Sequence, residues 1–206
     1  MFRKFILPLF LTAVGLFFKS CEFPESMKSG YRIEEGKVVL YSGFPASRTV
    51  IGQADAQTFK AINYNYGKDS KLVFYYSGVI EGADAASFEY LGGSYSKDKN
   101  RGYTVDKPIS DDGAHFAIVP NPEDTESNRT AAGIVYARDS RQVYHSLMVL
   151  EGADPASFRY VPMFNGYDLA CDKRAVYWQS KPIEGADGQT FVRVTAVHFK
   201  DKNKVW

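Results

Sequence analysis

The sequence predicts a mainly β protein: tandem β-hairpin repeats joined by short capped helical turns, set out as a repeat array or a propeller-like meander. Two recurring segments and the composition lead to that reading. EGADAASFEY at residues 81–90 returns as EGADPASFRY (151–160), EGADGQTF (184–191) and GQADAQTF (52–59). A second segment alternates with it, built on Tyr66-x-Lys68-Asp69, Tyr95-x-Lys97-Asp98, Tyr136-x-Arg138-Asp139, Leu169-x-Cys171-Asp172 and His198-x-Lys200-Asp201, with Val or Gly four residues after each Asp. The chain also carries 14 Tyr and 15 Phe, residue types that favour strands.

In the first segment the spacing is Asp, two variable residues, Ser or Thr, then Phe: Asp55 to Phe59, Asp84 to Phe88, Asp154 to Phe158, Asp187 to Phe191. Each Asp sits where an N-cap belongs, its carboxylate able to accept from the backbone N–H groups two and three residues on. Pro155 follows Asp154 at the position where a missing N–H costs least. Each Phe is then an anchor for a core, worth roughly 1.5 to 3 kcal/mol when fully buried. A row of catalytic or metal-binding carboxylates is the functional alternative, but no second carboxylate or His recurs beside them.

The second segment reads as a hairpin, with short alternating runs on either side of a polar turn such as DKNRG or DSRQ. A worn first copy runs through Tyr31, Glu34, Val38 and Val39. The unit is therefore strand, tight turn, strand, Gly or Pro corner, then a capped turn delivering its Phe. Periods of 29 to 41 residues mark a repeat array, in which a two-stranded ribbon gains stability by stacking on its neighbours. About five units and a partial sixth fill residues 31–206. The third unit departs from the pattern: it carries ISDDGAHF in place of EGAD, keeps Phe116, and inserts PNPEDTESNRTAAG (120–133), a polar surface loop. The sixth reaches Trp206 just inside its second strand, a strand free to pair back with another repeat.

Residues 1–20 read as a signal peptide, with Arg3 and Lys4 ahead of an apolar run from Phe5 to Phe18. That run is 14 residues long, short of the roughly 20 a spanning helix needs. Residues 21–30 follow as a linker. Phe18-Lys19-Ser20-Cys21 resembles the lipobox of bacterial lipoproteins, which implies lipidation of Cys21; Phe18 and Lys19 depart from its preferred Leu and small residue, so ordinary cleavage or an uncleaved anchor stay open. Glu22 is not the Asp that holds many such proteins at the inner membrane. The address implied is the cell envelope, lipid-anchored at the outer membrane or in the periplasm, with secretion as the alternative.

Of 25 basic and 24 acidic residues, the leader takes three basic ones (Arg3, Lys4, Lys19), leaving 22 against 24. No basic excess points to nucleic acid, and no polybasic run points to a membrane surface. Cys171 stands where other units have Lys or Arg and reads as a tolerated small residue; a Cys21–Cys171 disulfide stays open if Cys21 is not lipidated. Asp98 with Asn100, and Asp201 with Asn203, mimic the start of a calcium loop, but no Glu closes twelve residues, and a hairpin turn fits better. His115, His145 and His198 lack zinc-ligand spacing. No nucleophile elbow, phosphate-binding Gly loop or recurring acid–base pair is present, so neither an enzyme nor a cofactor is expected.

With KDKN at 97–100 and 200–203, Tyr or Trp after the turn and EGAD-x-x-[ST]-F following, residues 31–206 resemble the DKNYY family of bacterial repeat proteins. The resemblance implies a repeat fold and an exported protein, and no catalytic residue. The expected role is a non-enzymatic, protein-binding module of the envelope, in one version an immunity-type inhibitor, with Glu123, Asp124 and Glu126 of the insertion as its first contact. The alternative is an envelope scaffold or glycan-binding repeat protein. That alternative needs the ladder of Phe74, Tyr103, Tyr144, Tyr177 and Trp206 to be open to solvent.

Overall fold

The computed structural model describes residues 27–121, 136–161 and 169–206. It is all β, in six small antiparallel sheets laid down in chain order. The first has three strands, Gly30–Glu34, Lys37–Ser42 and Ser47–Val50. The next four are four-stranded meanders. In the second sheet these strands are Lys60–Ala61, Tyr66–Lys68, Val73–Tyr75 and Gly78–Val79. The sixth holds Val192–Arg193 paired with Phe199–Lys200.

The two inner strands of each meander are the predicted hairpin, and two of their features follow from the residues at the turn. Tyr66–Lys68 pairs with Val73–Tyr75 in the register Lys68 to Val73, so Asp69 to Leu72 form the loop, closed by Asp69 N–H donating to the Leu72 carbonyl (3.0 Å). The outer strands, two to four residues long, come from the residue pair after each anchor Phe and from the stretch before each Gly or Pro corner. A two-residue turn links the third strand to the fourth, and its first residue takes a left-handed conformation: Tyr76 (φ 49°), Val105 (56°), Ser146 (56°) and Gln179 (57°).

No helix forms at the Asp-x-x-Ser/Thr segments, which corrects the expected capped helical turns. Each is a single hydrogen-bonded turn; Thr58 N–H donates to the Asp55 carbonyl (3.1 Å), and the same bond recurs at Ser157 and Asp154 and at Thr190 and Asp187. The physical reason is length. Three residues separate the Asp from the Phe, and directly after the Phe the chain enters the next sheet, Lys60 pairing with Lys68, before a helical ladder can nucleate. The last residues also differ from expectation: Trp206 exchanges both backbone hydrogen bonds with Phe199 (2.7 and 3.1 Å), so they pair within their own hairpin and not with another repeat.

Five apolar clusters hold the sheets together, and each draws on two successive sheets. At the centre of each lies one anchor Phe between an aromatic ring of the sheet before and one of the sheet after. Phe59 lies 5.2 Å from Tyr31 and 6.0 Å from Phe74; Phe88, 6.0 Å from Tyr66 and 6.1 Å from Tyr103; Phe116, 6.1 Å from Tyr95 and 5.7 Å from Tyr144; Phe158, 5.1 Å from Tyr136 and 5.8 Å from Tyr177. The core is thus a row of aromatic sandwiches, each shared between neighbours. At the fifth position Leu169 replaces the Tyr, and it packs with Phe191, Phe199 and Cys171.

Candidate functional site

The residue that organises each junction is the hairpin Asp. The carboxylate of Asp98 accepts four hydrogen bonds: from the N–H groups of Asn100 (2.7 Å) and Arg101 (2.8 Å) on Oδ1, and from the N–H of Asp84 (2.8 Å) and the hydroxyl of Tyr103 (2.7 Å) on Oδ2. It closes its own turn with one oxygen and grips the preceding turn with the other. Asp172 repeats all four bonds, from Arg174, Ala175, Asp154 and Tyr177, and Asp201 repeats them with the Trp206 indole N–H in place of the phenol. Asp69 makes three, because Phe74 has no hydroxyl to give.

Burial works to raise the Asp98 carboxyl pKa, but the hydrogen bonds from Tyr103 and the three N–H groups outweigh it and hold the group below the usual carboxylate range. Asp139 and Asp69 show the same balance. Asp201 is pulled down to about 2, first by the Asp187 N–H. The tyrosines on the other end shift the opposite way, Tyr144 up to about 12 through burial and its bond to Asp139. These are charges held in place by donors, not groups poised to exchange a proton near neutrality.

The cap residues have their own bonds. Asp84 Oδ1 accepts from both the N–H (2.9 Å) and the hydroxyl (2.7 Å) of Ser87, which with Lys99 holds it at about 2; the Ser87 oxygen in turn accepts from the Lys99 N–H (3.0 Å). Asp187 bonds the same way to Thr190; Asp55 accepts the Gln57 N–H on Oδ1 and the Thr58 hydroxyl on Oδ2, and Asp154 accepts from the Ser157 hydroxyl. Surface lysines complete the pattern at Asp154 (Lys173, 3.2 Å) and Asp187 (Lys202, 2.7 Å).

The aromatic ladder is not a binding surface. Phe74, Tyr103, Tyr144 and Tyr177 are 0 to 3 % exposed, enclosed by the anchor Phe of the preceding turn, and this overturns the reading of those four as sugar- or peptide-stacking rings. Trp206 is partly buried against Phe191, with Lys204 over its face. Cys21, the leader and the loop residues Glu123, Asp124 and Glu126 lie outside the described residues. Cys171 is buried and free, and burial pushes its thiol up to about 11.

The histidines sit apart in bonding as in sequence: His115 pairs with Asp112, His145 with Ser180, His198 with Thr195. Asp112 bonds on one side to His115 and on the other to Ser140, so the carboxylate stands between the two, and the order a hydrolytic triad requires, with the imidazole in the middle, is not met. Among the described residues no group of three or more His, Cys, Asp or Glu is placed to hold a metal ion, and no helix is long and apolar enough to cross a membrane. A shallow depression of about 560 Å³ opens over the first junction, and two of its three charged groups are committed: Lys68 Nζ donates to the Phe88 carbonyl (3.0 Å), and Asp69 holds its hairpin, while Lys60 also lines it.

Sequence reasoning missed a second tie. Tyr31 donates its hydroxyl to the Tyr76 carbonyl (2.7 Å) and Tyr66 to that of Val105 (2.8 Å); Tyr95 accepts from Ser146 N–H (2.8 Å), and Tyr136 donates to Gln179 (2.7 Å). Every one reaches forward to the left-handed turn of the following sheet. The recurring Tyr was visible in the sequence; its partner was not, because a backbone group leaves no mark on residue type.

A fold whose recurring polar residues all serve to chain one small sheet to the next defines a tandem β-repeat protein. The chain belongs to the DKNYY family, whose profile matches it twice, over residues 19–107 and 77–206. No curated protein and no solved structure matches it.

Proposed function

We propose that this protein is a non-enzymatic lipoprotein of the cell envelope that binds a protein partner, with inhibition of a toxin in the periplasm as the concrete version. The observation that carries the reading is where the repeated chemistry goes. The carboxylates that recur are spent on internal hydrogen bonds, Asp98 and Asp172 on four each, so the recurring polar groups serve architecture. Specificity then falls to what differs between units, and the largest difference is the polar insertion at 120–133 with its Glu123, Asp124 and Glu126. Lipidation at Cys21 would hold the array at the membrane, in reach of a partner in the same compartment.

The test is a cross-linked pull-down of the tagged full-length protein from its host's envelope, alongside a variant lacking residues 121–132. One stoichiometric partner carrying a toxin or enzyme domain, lost with the deletion, supports the reading. The same partner captured undiminished by the deletion removes the insertion from it, and no specific protein at all overturns it. Fractionation of Cys21→Ala checks the anchor: loss from the membrane fraction is expected.

A further inference from the structure

Three tyrosines of the second sheet stay out of these hydrogen bonds, although Tyr75 packs on Tyr66 (5.0 Å) and Tyr76 on the cluster of the first junction. Of the thirteen tyrosines among the described residues, ten place their hydroxyl in a hydrogen bond: Tyr31, Tyr66 and Tyr136 to the next sheet, Tyr103, Tyr144 and Tyr177 to the hairpin Asp, and the rest to Glu34 or to backbone groups. The three whose hydroxyls bond to nothing among the described residues are Tyr64, Tyr75 and Tyr76, and they lie together. Tyr64 meets Tyr76 edge to face at 6.0 Å and 86°, and Tyr75 meets Tyr76 at 4.8 Å and 82°. Tyr64 is 41 % exposed, and the other two are half-buried.

The fold does not require tyrosine there. The positions of Tyr75 and Tyr76 in the third to fifth sheets hold Thr104 and Val105, His145 and Ser146, Trp178 and Gln179. What the fold does supply is rigidity. The Tyr31 hydroxyl bonds to both the Asn65 and Tyr76 carbonyls (2.8 and 2.7 Å), clamping together the two backbone segments that carry the rings. Asn63 Oδ1 accepts from the N–H groups of Asn65 and Tyr66 (both 2.8 Å), which fixes the bend on which Tyr64 stands. Aromatic groups held by a second layer of hydrogen bonds form a preorganised surface.

We propose that Tyr64, Tyr75 and Tyr76 form a binding platform for a neutral saccharide. A pyranose presents a C–H face, which stacks on an aromatic ring, and an edge of hydroxyls. Perpendicular tyrosines answer both, one ring offering its face while the neighbour's hydroxyl meets the sugar's edge. The Asp106 carboxylate nearby is paired with Lys107 (3.6 Å), so that pair offers no net charge to an ionic sugar. The proposal does not rest on the protein-partner reading and is unaffected by the outcome of the pull-down.

The experiment is calorimetric titration of the full-length protein with cellohexaose, maltohexaose and chitohexaose, and separately with decaproline. Binding of at least one hexasaccharide is expected, weakened about tenfold by Tyr64→Ala and by Tyr76→Ala, and about threefold by Tyr76→Phe, which keeps the ring and loses the hydroxyl. Thermal melts of the variants exclude unfolding; Tyr64→Phe, nearly isosteric, serves if an alanine variant fails to fold. The proposal is overturned if no hexasaccharide binds, if binding survives unchanged in a folded Tyr64→Ala, Tyr76→Ala double variant, or if decaproline alone binds through these tyrosines, which would assign the platform to an extended protein segment.

Discussion

The junction between the second and third sheets and the one between the third and fourth reach the same end with different atoms. In the former, Asp84 offers its backbone N–H to Asp98 Oδ2. In the latter the turn from Ile109 to Phe116 is one residue shorter than that from Ile80 to Phe88, and Asp112, four residues before its Phe as Asp84 is, gives its N–H to Ser110 Oγ (3.1 Å) and not to the hairpin carboxylate. The Ser110 hydroxyl bonds to Asp139 Oδ2 instead (2.6 Å), while Asp112 receives the Ser140 N–H that a Ser or Thr oxygen receives elsewhere. The shortened turn also moves its anchor. A Cβ on Gly102 would lie 2.3 Å from the Phe116 ring, so the Val of other hairpins gives way to Gly where Phe116 needs the space. What the array preserves is a set of contacts to the hairpin carboxylate, and several residues can meet it.

Acid should break both junctions at once and give the largest effect. Asp98 and Asp139 titrate lower in the fold than the roughly 3.9 of an unfolded Asp, so the stability they confer is complete above about pH 5 and is lost as the pH falls through their folded values. Melting followed from pH 6 to pH 2 should show a flat region, then a steep fall below about pH 4; a melting temperature indifferent to pH would mean that these carboxylates do not hold the junctions. Next in size is Asp98→Ala, which leaves the buried Tyr103 hydroxyl and the turn N–H groups without an acceptor and should cost about 3 kcal/mol in urea unfolding.

Gly102→Val tests the spatial half of the comparison. It should cost about 1 to 3 kcal/mol through overpacking against Phe116, and part of that loss should return when Phe116→Leu is added, a coupling that a double-mutant cycle reads directly. Ser110→Ala removes one hydrogen bond from a carboxylate that keeps Tyr144, Arg141 and Gln142, and should cost about 1 to 2 kcal/mol in the same assay. If Ser110→Ala proved costlier than Asp98→Ala, the two junctions would not be equivalent.

Much of this could be read in the chain before the structure. The hairpins, their shared register and the aspartates at both turns follow from spacing alone, because a four-residue loop opened by Asp leaves a fixed signature. The outer strands could not be read, since two residues such as Lys60–Ala61 are too few to show alternation. The helical turns were expected because an Asp-x-x-Ser segment begins a helix and a lone turn with the same residues, and only tertiary pairing of the residues beyond Phe59 decides between them. The ladder of Phe74, Tyr103, Tyr144 and Tyr177 was legible as a row of rings but not as an interior one, because exposure depends on the sheet that covers it. Tyr64, Tyr75 and Tyr76 had the opposite problem: among 14 tyrosines nothing in the sequence separates the three with unbonded hydroxyls from the rest.

The tyrosine that reaches from each sheet to the left-handed turn of the next has a direction, from Tyr31 to Tyr76, Tyr66 to Val105, Tyr95 to Ser146 and Tyr136 to Gln179. A unit copied in the gene and spliced between two others would arrive with a tyrosine for its successor and a backbone turn for its predecessor, whatever side chain that turn displays. Lengthening by duplication therefore needs no compensating change in the neighbours, and the turn residues are left open to drift toward whatever surface selection favours.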